Sequence, residues 1–290
     1  MTSARSVGIL GATSLVGGPL AERLVADGRT VHAISRSRGV PAASGVQWHA
    51  PGADLAGVES WVALCPLWTV PDRLPWLARC GCRRLVAVSS MSVVTKTTSP
   101  DRHERALAAR LAEAERRVGD GATALGLDCL LLRPTMIYDG QRDGNVVAIA
   151  RFIRRWRCFP LAGPGRGLRQ PVHAADVAAA CAEALETPTA SAVYAISGPD
   201  PLPFRALVER IFAWLGHTPR MPSVPVPALR AGLAAAHALG LCRGVSAGML
   251  ARMNEDLSCA HAAAARDLGF RPRPFTLPDP PLIPRGLSSP

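Results

Sequence analysis

A glycine-rich turn stands between the first strand and the first helix that the sequence predicts. The apolar run Ser6–Leu10 predicts a strand, the pattern from Leu15 to Asp27 predicts a helix, and Gly11-Ala-Thr-Ser-Leu-Val-Gly-Gly18 joins them. Glycines in this setting allow a tight turn and let a pyrophosphate reach the N–H groups at the helix start. An ordinary packing turn is the alternative, but the strand–turn–helix context favours a dinucleotide site. Its predicted contacts are Gly11, Thr13, Ser14, Leu15, Val16 and Gly17.

Short apolar strands alternate with helices over the first half of the chain. Further strands are predicted at Thr30–Ser35, Val46–His49, Trp61–Cys65, Arg84–Ser89 and Asp128–Pro134. This alternation predicts an α/β protein with a Rossmann-type, doubly wound parallel sheet. Later helical patterns mix with proline-rich joints, which predicts a smaller, mostly helical C-terminal substrate lobe. We therefore expect a nucleotide-binding domain over residues 1–165, a return of residues 170–198 to that core, and a lobe and tail over 199–290.

The end of the second predicted strand indicates which dinucleotide is bound. Sites that select NAD(H) place an acidic residue there to accept a hydrogen bond from the ribose hydroxyl. No Asp or Glu lies between Asp27 and Asp54, and the strand instead runs into Ser35-Arg36-Ser37-Arg38. A guanidinium group suits a 2′-phosphate. We therefore predict that NADP(H) is preferred over NAD(H), with Arg36 as the main contact. Solvated loop arginines are the alternative.

Composition limits the class of protein. The net charge of +11 comes almost entirely from arginine, since Lys96 is the only lysine, and this skew is typical of coding bias more than of a nucleic-acid surface. No apolar stretch reaches the ~20 residues of a membrane span, and no secretory signal is recognisable, which predicts a cytoplasmic protein. The eight cysteines are scattered, with only Cys80 and Cys82 close together, so no metal site is predicted. We expect a small-molecule substrate as partner and no nucleic acid, and leave a homodimer open.

Several motifs in order resemble the extended short-chain dehydrogenases/reductases of the NAD(P)-dependent epimerase/dehydratase type. Besides the glycine turn, these are Asp54-Leu55, Val88-Ser89-Ser90, Leu132-Arg133-Pro134, Ile137-Tyr138, the segment from Arg169 to Asp176, and the segment from Ala263 to Pro274. The resemblance implies that Asp54 and Leu55 contact the adenine and that Ser89 and Pro134 belong to the cofactor site. Cys65 and Pro66, which follow the fourth strand, are expected on the nicotinamide side.

The chain departs from that family where its chemistry is done. The family carries a Tyr-x-x-x-Lys pair, in which the tyrosine is the general acid/base and the lysine lowers its pKa. Here the residues four positions after Tyr138 and Tyr194 are Arg142 and Gly198. Three replacements are conceivable, namely Ser90 to orient a carbonyl and Lys96 or His103 to exchange a proton. For Lys96 and His103 the alternative is an ordinary surface side chain.

Three further residues are predicted to contact the substrate. Trp68 could stack on a ligand, Tyr138 could line the pocket, and Arg169 matches the arginine that binds the diphosphate in nucleotide-sugar epimerases. We therefore expect an NADP(H)-binding, atypical reductase or epimerase-like enzyme for a small carbonyl or nucleotide-sugar substrate. A non-catalytic dinucleotide-binding sensor or scaffold is the first alternative. A membrane-peripheral enzyme, based on the apolar stretch 229–242 and the basic charge, is the second.

Overall fold

The computed structural model describes residues 6–35, 45–188, 191–238 and 247–278. Arg36 and Arg38 lie outside these ranges, as does the end of the proline-rich tail. The strands are β1 (Ser6–Leu10), β2 (Thr30–Ile34), β3 (Val46–His49), β4 (Ser60–Ala63), β5 (Arg84–Val88), β6 (Asp128–Pro134), β7 (Ile137–Tyr138), β8 (Leu161–Ala162), β9 (Leu168–Arg169), β10 (Val172–His173), β11 (Ser191–Ile196), β12 (Leu202–Pro203) and β13 (Ser223–Val224).

Helix α1 lies within the stretch from Leu15 to Asp27 that the sequence predicts as helical. The described helices are α1 (Gly17–Ala26), α2 (Leu74–Arg79), α3 (Ser92–Thr95), α4 (Arg102–Ala124), α5 (Val146–Trp156), α6 (Ala174–Glu186), α7 (Phe204–Trp214), α8 (Val226–Ala238), α9 (Ala247–Arg252) and α10 (Ala262–Asp267). Helix α4 contains 23 residues. A Cβ at Gly121 would lie 2.6 Å from the Leu74 side chain, so the glycine lets α4 pack closely on α2.

Seven parallel strands form the central sheet in the order β11-β6-β5-β4-β1-β2-β3. The predicted Rossmann-type, doubly wound sheet is confirmed, because the chain moves outward from β1 in one direction through β2 and β3 and then in the other through β4, β5 and β6. The order reverses between β1 and β4, which pair in register from Val7 with Ser60 to Leu10 with Ala63. Ligands of such sheets bind in the crevice at the carboxyl ends of the strands, at this reversal.

Apolar layers cover both faces of the sheet. One cluster packs α1 and α6 against it, with Leu20 and Val177 fully buried. The other packs α2 and α4 against the opposite face, with Leu77 and Val118 fully buried. Each such side chain contributes about 1.5–3 kcal/mol relative to an exposed position. The two layers hold the carboxyl ends of β1, β4, β5 and β6 in fixed positions.

A third apolar cluster lies beyond the sheet. It joins α5 and α7 to parts of α9 and to the C-terminal segment around Phe275. Helix α5 therefore packs with later elements although it lies within the range predicted for the nucleotide-binding domain, and the division into domains stays a prediction. Within the described ranges, no helix is both long enough and apolar enough to span a membrane.

Candidate functional site

The glycine turn lies directly against the end of β4. Gly11 has a φ of 77°, and a Cβ there would lie 2.7 Å from the backbone nitrogen of Cys65. A Cβ at Gly17 would lie 2.0 Å from the carbonyl oxygen of Ala12, whereas one at Gly18 would meet nothing within 4 Å. Gly11 and Gly17 therefore fix the shape of the turn, and Gly18 does not.

The start of α1 is suited to an anion. The first turn of the helix has no acidic residue, Thr13 is exposed, and its half-buried neighbour Ser14 has a hydroxyl with no hydrogen-bond partner within the described part of the chain. Leu15 and Val16 pack their side chains against the core, so only their backbone N–H groups face the turn. Unpaired N–H groups and the helix dipole attract negative charge at such a position. These residues fit the pyrophosphate of a dinucleotide.

The adenine side of the crevice is partly described. The carboxylate of Asp54 is exposed, where a ligand could reach it. Leu55 is 8% exposed and belongs to the apolar layer beneath the crevice. Arg36, the predicted contact to a 2′-phosphate, lies outside the described residues, and its role stays a prediction.

The predicted nicotinamide side is formed by the segment after β4. Cys65 is half-buried and its sulfur accepts a hydrogen bond from the Thr69 hydroxyl at 3.5 Å, while Pro66 is exposed. The ring of Trp68 is covered by the guanidinium of Arg110 on α4, 4.0 Å from the ring centroid. One face of the Trp68 ring is thus already occupied by a cation, and a ligand would have to displace Arg110 to stack on that face.

A buried charged network lies at the ends of β5 and β6. The Ser89 hydroxyl donates to a carboxylate oxygen of Glu115 at 2.5 Å, and Arg133 donates to both oxygens of that carboxylate, in one case at 2.9 Å. Ser89 and Glu115 are 9% and 8% exposed, and Pro134 next to them is buried. Sequence reasoning missed Glu115. Its position four residues after Leu111 and three before Val118, on the buried face of α4, is the signal that could have revealed it.

The side of α4 that faces the sheet is otherwise apolar. Leu111 is buried and Leu107 is half-buried in the layer beneath β4 and β5. The helix contains neither tyrosine nor lysine. The tyrosine–lysine pair therefore has no counterpart on this helix.

Lys96 lies in a second charged cluster at the start of α4. Glu104, only 7% exposed, accepts from the Ser99 hydroxyl at 2.8 Å and pairs with Arg252 of α9 at 2.8 Å and with Lys96 at 3.7 Å. Burial lowers the pKa of the Lys96 ammonium, and the nearby Arg252 lowers it further, against the opposing effect of Glu104. Arg252 and Glu104 thereby join the later part of the chain to the edge of the crevice.

The other two catalytic candidates have different surroundings. The Ser90 hydroxyl accepts from the backbone N–H of Ser92 at 3.1 Å, at the turn that starts α3. His103 is exposed on the first turn of α4. Among the contacts of the described residues, none joins Ser90, Lys96 and His103 to one another. The three are near in sequence but do not contact one another, and their catalytic roles stay a prediction.

The architecture matches known enzymes. No protein-family model matches the chain. Solved structures with similar folds include MoeE5 in complex with UDP-glucuronic acid and NAD (TM-score 0.69, 19% identity, 93% of this chain and 94% of that one). Another is UDP-glucose 4-epimerase of Thermotoga maritima with UDP-glucose (TM-score 0.68, 14% identity, 92% and 94%). A third is UDP-N-acetylglucosamine 4-epimerase of Bacillus cereus (TM-score 0.67, 14% identity, 93% and 94%). This chain has the fold of the UDP-sugar epimerases. The resemblance predicted from the motifs is confirmed at the level of that fold.

One curated relative is more similar in sequence than these structures. It is the Arabidopsis thaliana protein named NADH dehydrogenase [ubiquinone] 1 alpha subcomplex subunit 9, mitochondrial, at 31% identity over 154 residues. The match covers 52% of this chain and 35% of the relative, about a third of its length. This chain therefore resembles proteins of differing names, and its fold alone does not assign a reaction.

Two predicted substrate contacts lie in the interior of this epimerase fold. Tyr138 is fully buried between the rings of His173 and Phe275, and its hydroxyl accepts from the backbone N–H of Thr276 at 3.2 Å. Burial raises the pKa of this phenol. In the structure Tyr138 anchors the C-terminal segment, and its contact with a substrate stays a prediction.

The hydrogen bonds of Arg169 are likewise made within the protein. Arg169 is 7% exposed, and it donates to the backbone carbonyls of Leu168 at 2.7 Å, Glu255 at 2.9 Å and Arg252 at 2.5 Å. Burial lowers the pKa of its guanidinium to about 10. These bonds hold the segment after α9 against β9. A diphosphate would have to compete with three carbonyls for this side chain, so its role in substrate binding stays a prediction.

Proposed function

We propose that this protein binds NADP(H) in the crevice between β1 and β4. In this proposal the bound dinucleotide serves a sensing or scaffolding role, and the protein does not carry out the proton transfer of the epimerases. The observation that carries the proposal is the cradle at the start of α1. There Gly11 and Gly17 leave no room for a side chain, the buried Ser14 hydroxyl has no hydrogen-bond partner within the described residues, and the helix start suits an anion.

The absence of a relay supports a non-catalytic role. The side of α4 that faces the sheet carries Leu107 and Leu111, and its buried carboxylate, Glu115, is neutralised by Arg133. Both oxygens of this carboxylate are thus engaged by Arg133, so the group is not free to contact a substrate. The partial likeness to a protein named as a subunit of NADH dehydrogenase is consistent with a role in an assembly.

A second candidate is an atypical reductase or epimerase-like enzyme that acts on a small carbonyl or nucleotide-sugar substrate. Lys96 favours it, because burial and Arg252 lower the pKa of its amine toward the range useful for proton exchange. Ser90, at the end of β5, would orient the carbonyl. Lys96 is held by Glu104, however, so this candidate requires the ion pair to open.

A direct assay separates the two candidates. Purified protein is incubated with UDP-glucose and either NAD⁺ or NADP⁺, and the sugar nucleotides are resolved by chromatography, with Lys96→Met as the matched variant. The proposal predicts no UDP-galactose and no net formation of NADH or NADPH for either protein. Turnover by the native chain that Lys96→Met lowers by about 10²-fold or more would instead establish the enzyme.

A further inference from the structure

The excess of positive over negative charge in this protein comes from two segments. Residues 144–175 contain six arginines and residues 210–254 contain five, and neither segment contains Asp, Glu or Lys. These eleven charges account for the whole net charge of +11, so the rest of the chain holds 22 basic and 22 acidic residues. A uniform coding bias toward arginine would not remove every acidic residue from two particular segments.

The fold brings these two segments together. Helix α5 packs on α7, the Arg157 guanidinium contacts the His217 ring at 3.0 Å, and the Phe159 N–H donates to the Arg220 carbonyl at 2.9 Å. Strand β13 then pairs with β8, and the start of α8 packs on the same apolar cluster as α5 and α7. Charges that are distant in sequence therefore share one surface.

This surface, which we call the arginine face, consists of Arg151, Arg155, Trp156, Arg157 and Arg220. All five residues are exposed, and Trp156 is 50% exposed although it is a large aromatic side chain. The Arg155 guanidinium lies 5.1 Å from the Trp156 ring centroid. No ion pair between these four arginines and a carboxylate is present in the described part of the chain, whereas Arg23, Arg116 and Arg266 each pair with an acid.

The neighbouring helix α8 adds an apolar surface. Its described residues include exposed Pro227, Ala228, Ala231 and Ala235, and its one charged residue is the exposed Arg230. Arginines beside a protruding tryptophan and an apolar helix match the headgroup region of an anionic bilayer, where arginine meets phosphate and tryptophan sits at the interface.

We propose that the arginine face binds the surface of an anionic lipid bilayer. The bilayer suits this face better than a protein or a duplex, because its negative charge is continuous and its interface accepts an inserted indole. The proposal does not depend on the dinucleotide site, which lies at the β1–β4 crevice and not on these residues.

Vesicle co-sedimentation tests the proposal. The native chain is mixed with vesicles of phosphatidylcholine, with or without about 30% phosphatidylglycerol, at about 0.1 M salt. Binding is expected only with the anionic lipid. Each arginine near the surface contributes about fivefold to partitioning, so Arg151→Gln/Arg155→Gln should lower it about 25-fold. The matched control is Arg79→Gln/Arg102→Gln, which removes two exposed arginines elsewhere and should lower it by less than about threefold.

Two further measurements locate the contact. Brominated lipid should quench tryptophan fluorescence in the native chain, and Trp156→Phe should lose that quenching. Unchanged thermal unfolding of each variant confirms that the exposed substitutions leave the fold intact. The proposal is wrong if anionic vesicles do not bind the native chain or if quenching persists in Trp156→Phe. It is also wrong if the two double arginine variants lower vesicle binding equally. Binding to duplex DNA or to polyglutamate in place of vesicles would also contradict it.

Discussion

Arg133, at the end of β6, forms a bidentate ion pair with Glu115 at the centre of α4, and the Ser89 hydroxyl completes the coordination of that carboxylate. The pair fastens α4 to the carboxyl ends of β5 and β6, at the edge where sheets of this type bind their ligands. The Glu115 carboxylate is buried, so removal of the arginine would leave a buried charge without its partner.

Removing one partner of this pair should be costly. Arg133→Met leaves the Glu115 carboxylate with only Ser89, and we expect the free energy of unfolding to fall by about 3 kcal/mol or more. Arg116→Met is the matched control, because Arg116 is an exposed arginine of the same helix paired with Glu113 and Asp120, and it should cost less than about 1 kcal/mol. Urea unfolding measures both, and equal costs would show that burial of the pair is unimportant.

The dinucleotide proposal predicts a charge effect at Thr13. This exposed residue lies in the glycine turn, so Thr13→Glu places a negative charge where the pyrophosphate should bind and should weaken NADPH binding by about tenfold or more. Thr13→Gln has a similar size without the charge and should change the affinity by less than about threefold. Titration of dinucleotide fluorescence measures the affinities. Similar binding by both variants would place the pyrophosphate elsewhere.

The choice of dinucleotide is predicted to depend on Arg36. A charge-assisted bond to a 2′-phosphate contributes about 1.5–3 kcal/mol, so Arg36→Ala should lose about tenfold or more in NADPH affinity and little in NADH affinity. Arg38→Ala, two residues away, serves as the control and should have a smaller effect. Equal losses for NADPH and NADH in Arg36→Ala would mean that the residue acts by general electrostatic attraction.

Stability is expected to fall in mild acid because of His173. Its Nδ1 accepts the N–H of Ala175 at the start of α6, and burial, together with Arg273, lowers the pKa of the ring. The unfolded chain therefore takes up a proton below about pH 6.5 that the folded chain resists, and stability is lost as the pH falls through that range. His173→Asn keeps an acceptor for Ala175 and should lose less stability between pH 7 and pH 5. Exposed His103→Asn should behave like the native chain; an unchanged slope in His173→Asn would exclude this residue as the cause.

Much of the fold could be predicted because each element carries its own local signal. Val46–His49, which alternates apolar and polar residues, and Asp128–Pro134, which contains a continuous apolar run, both coincide with the predicted strands. The glycine turn could be predicted because it stands between a strand pattern and a helix pattern. The close packing of α4 on α2, where a Cβ at Gly121 would lie 2.6 Å from the Leu74 side chain, is a tertiary contact that sequence periodicity does not contain.

The interior contacts of the site residues could not be predicted. Tyr138 and Arg169 stand in motifs that suggest a pocket, yet their partners Thr276 and Glu255 lie 138 and 86 residues further along the chain. Glu104 and Glu115 read as solvated charges on a polar helix, and only folding shows that each meets an arginine in the interior. A local sequence pattern indicates on which face of its helix or strand a residue lies, but not which distant group it contacts.

Calorimetric titration of the native chain with NADPH, followed by NADH, measures the proposed dinucleotide binding itself. We predict saturable binding of one NADPH per chain, about tenfold or more tighter than NADH, because the turn between Gly11 and Gly17 receives the pyrophosphate and Arg36 the 2′-phosphate. The absence of saturable binding for both dinucleotides would contradict it. Tighter binding of NADH would contradict the assigned preference.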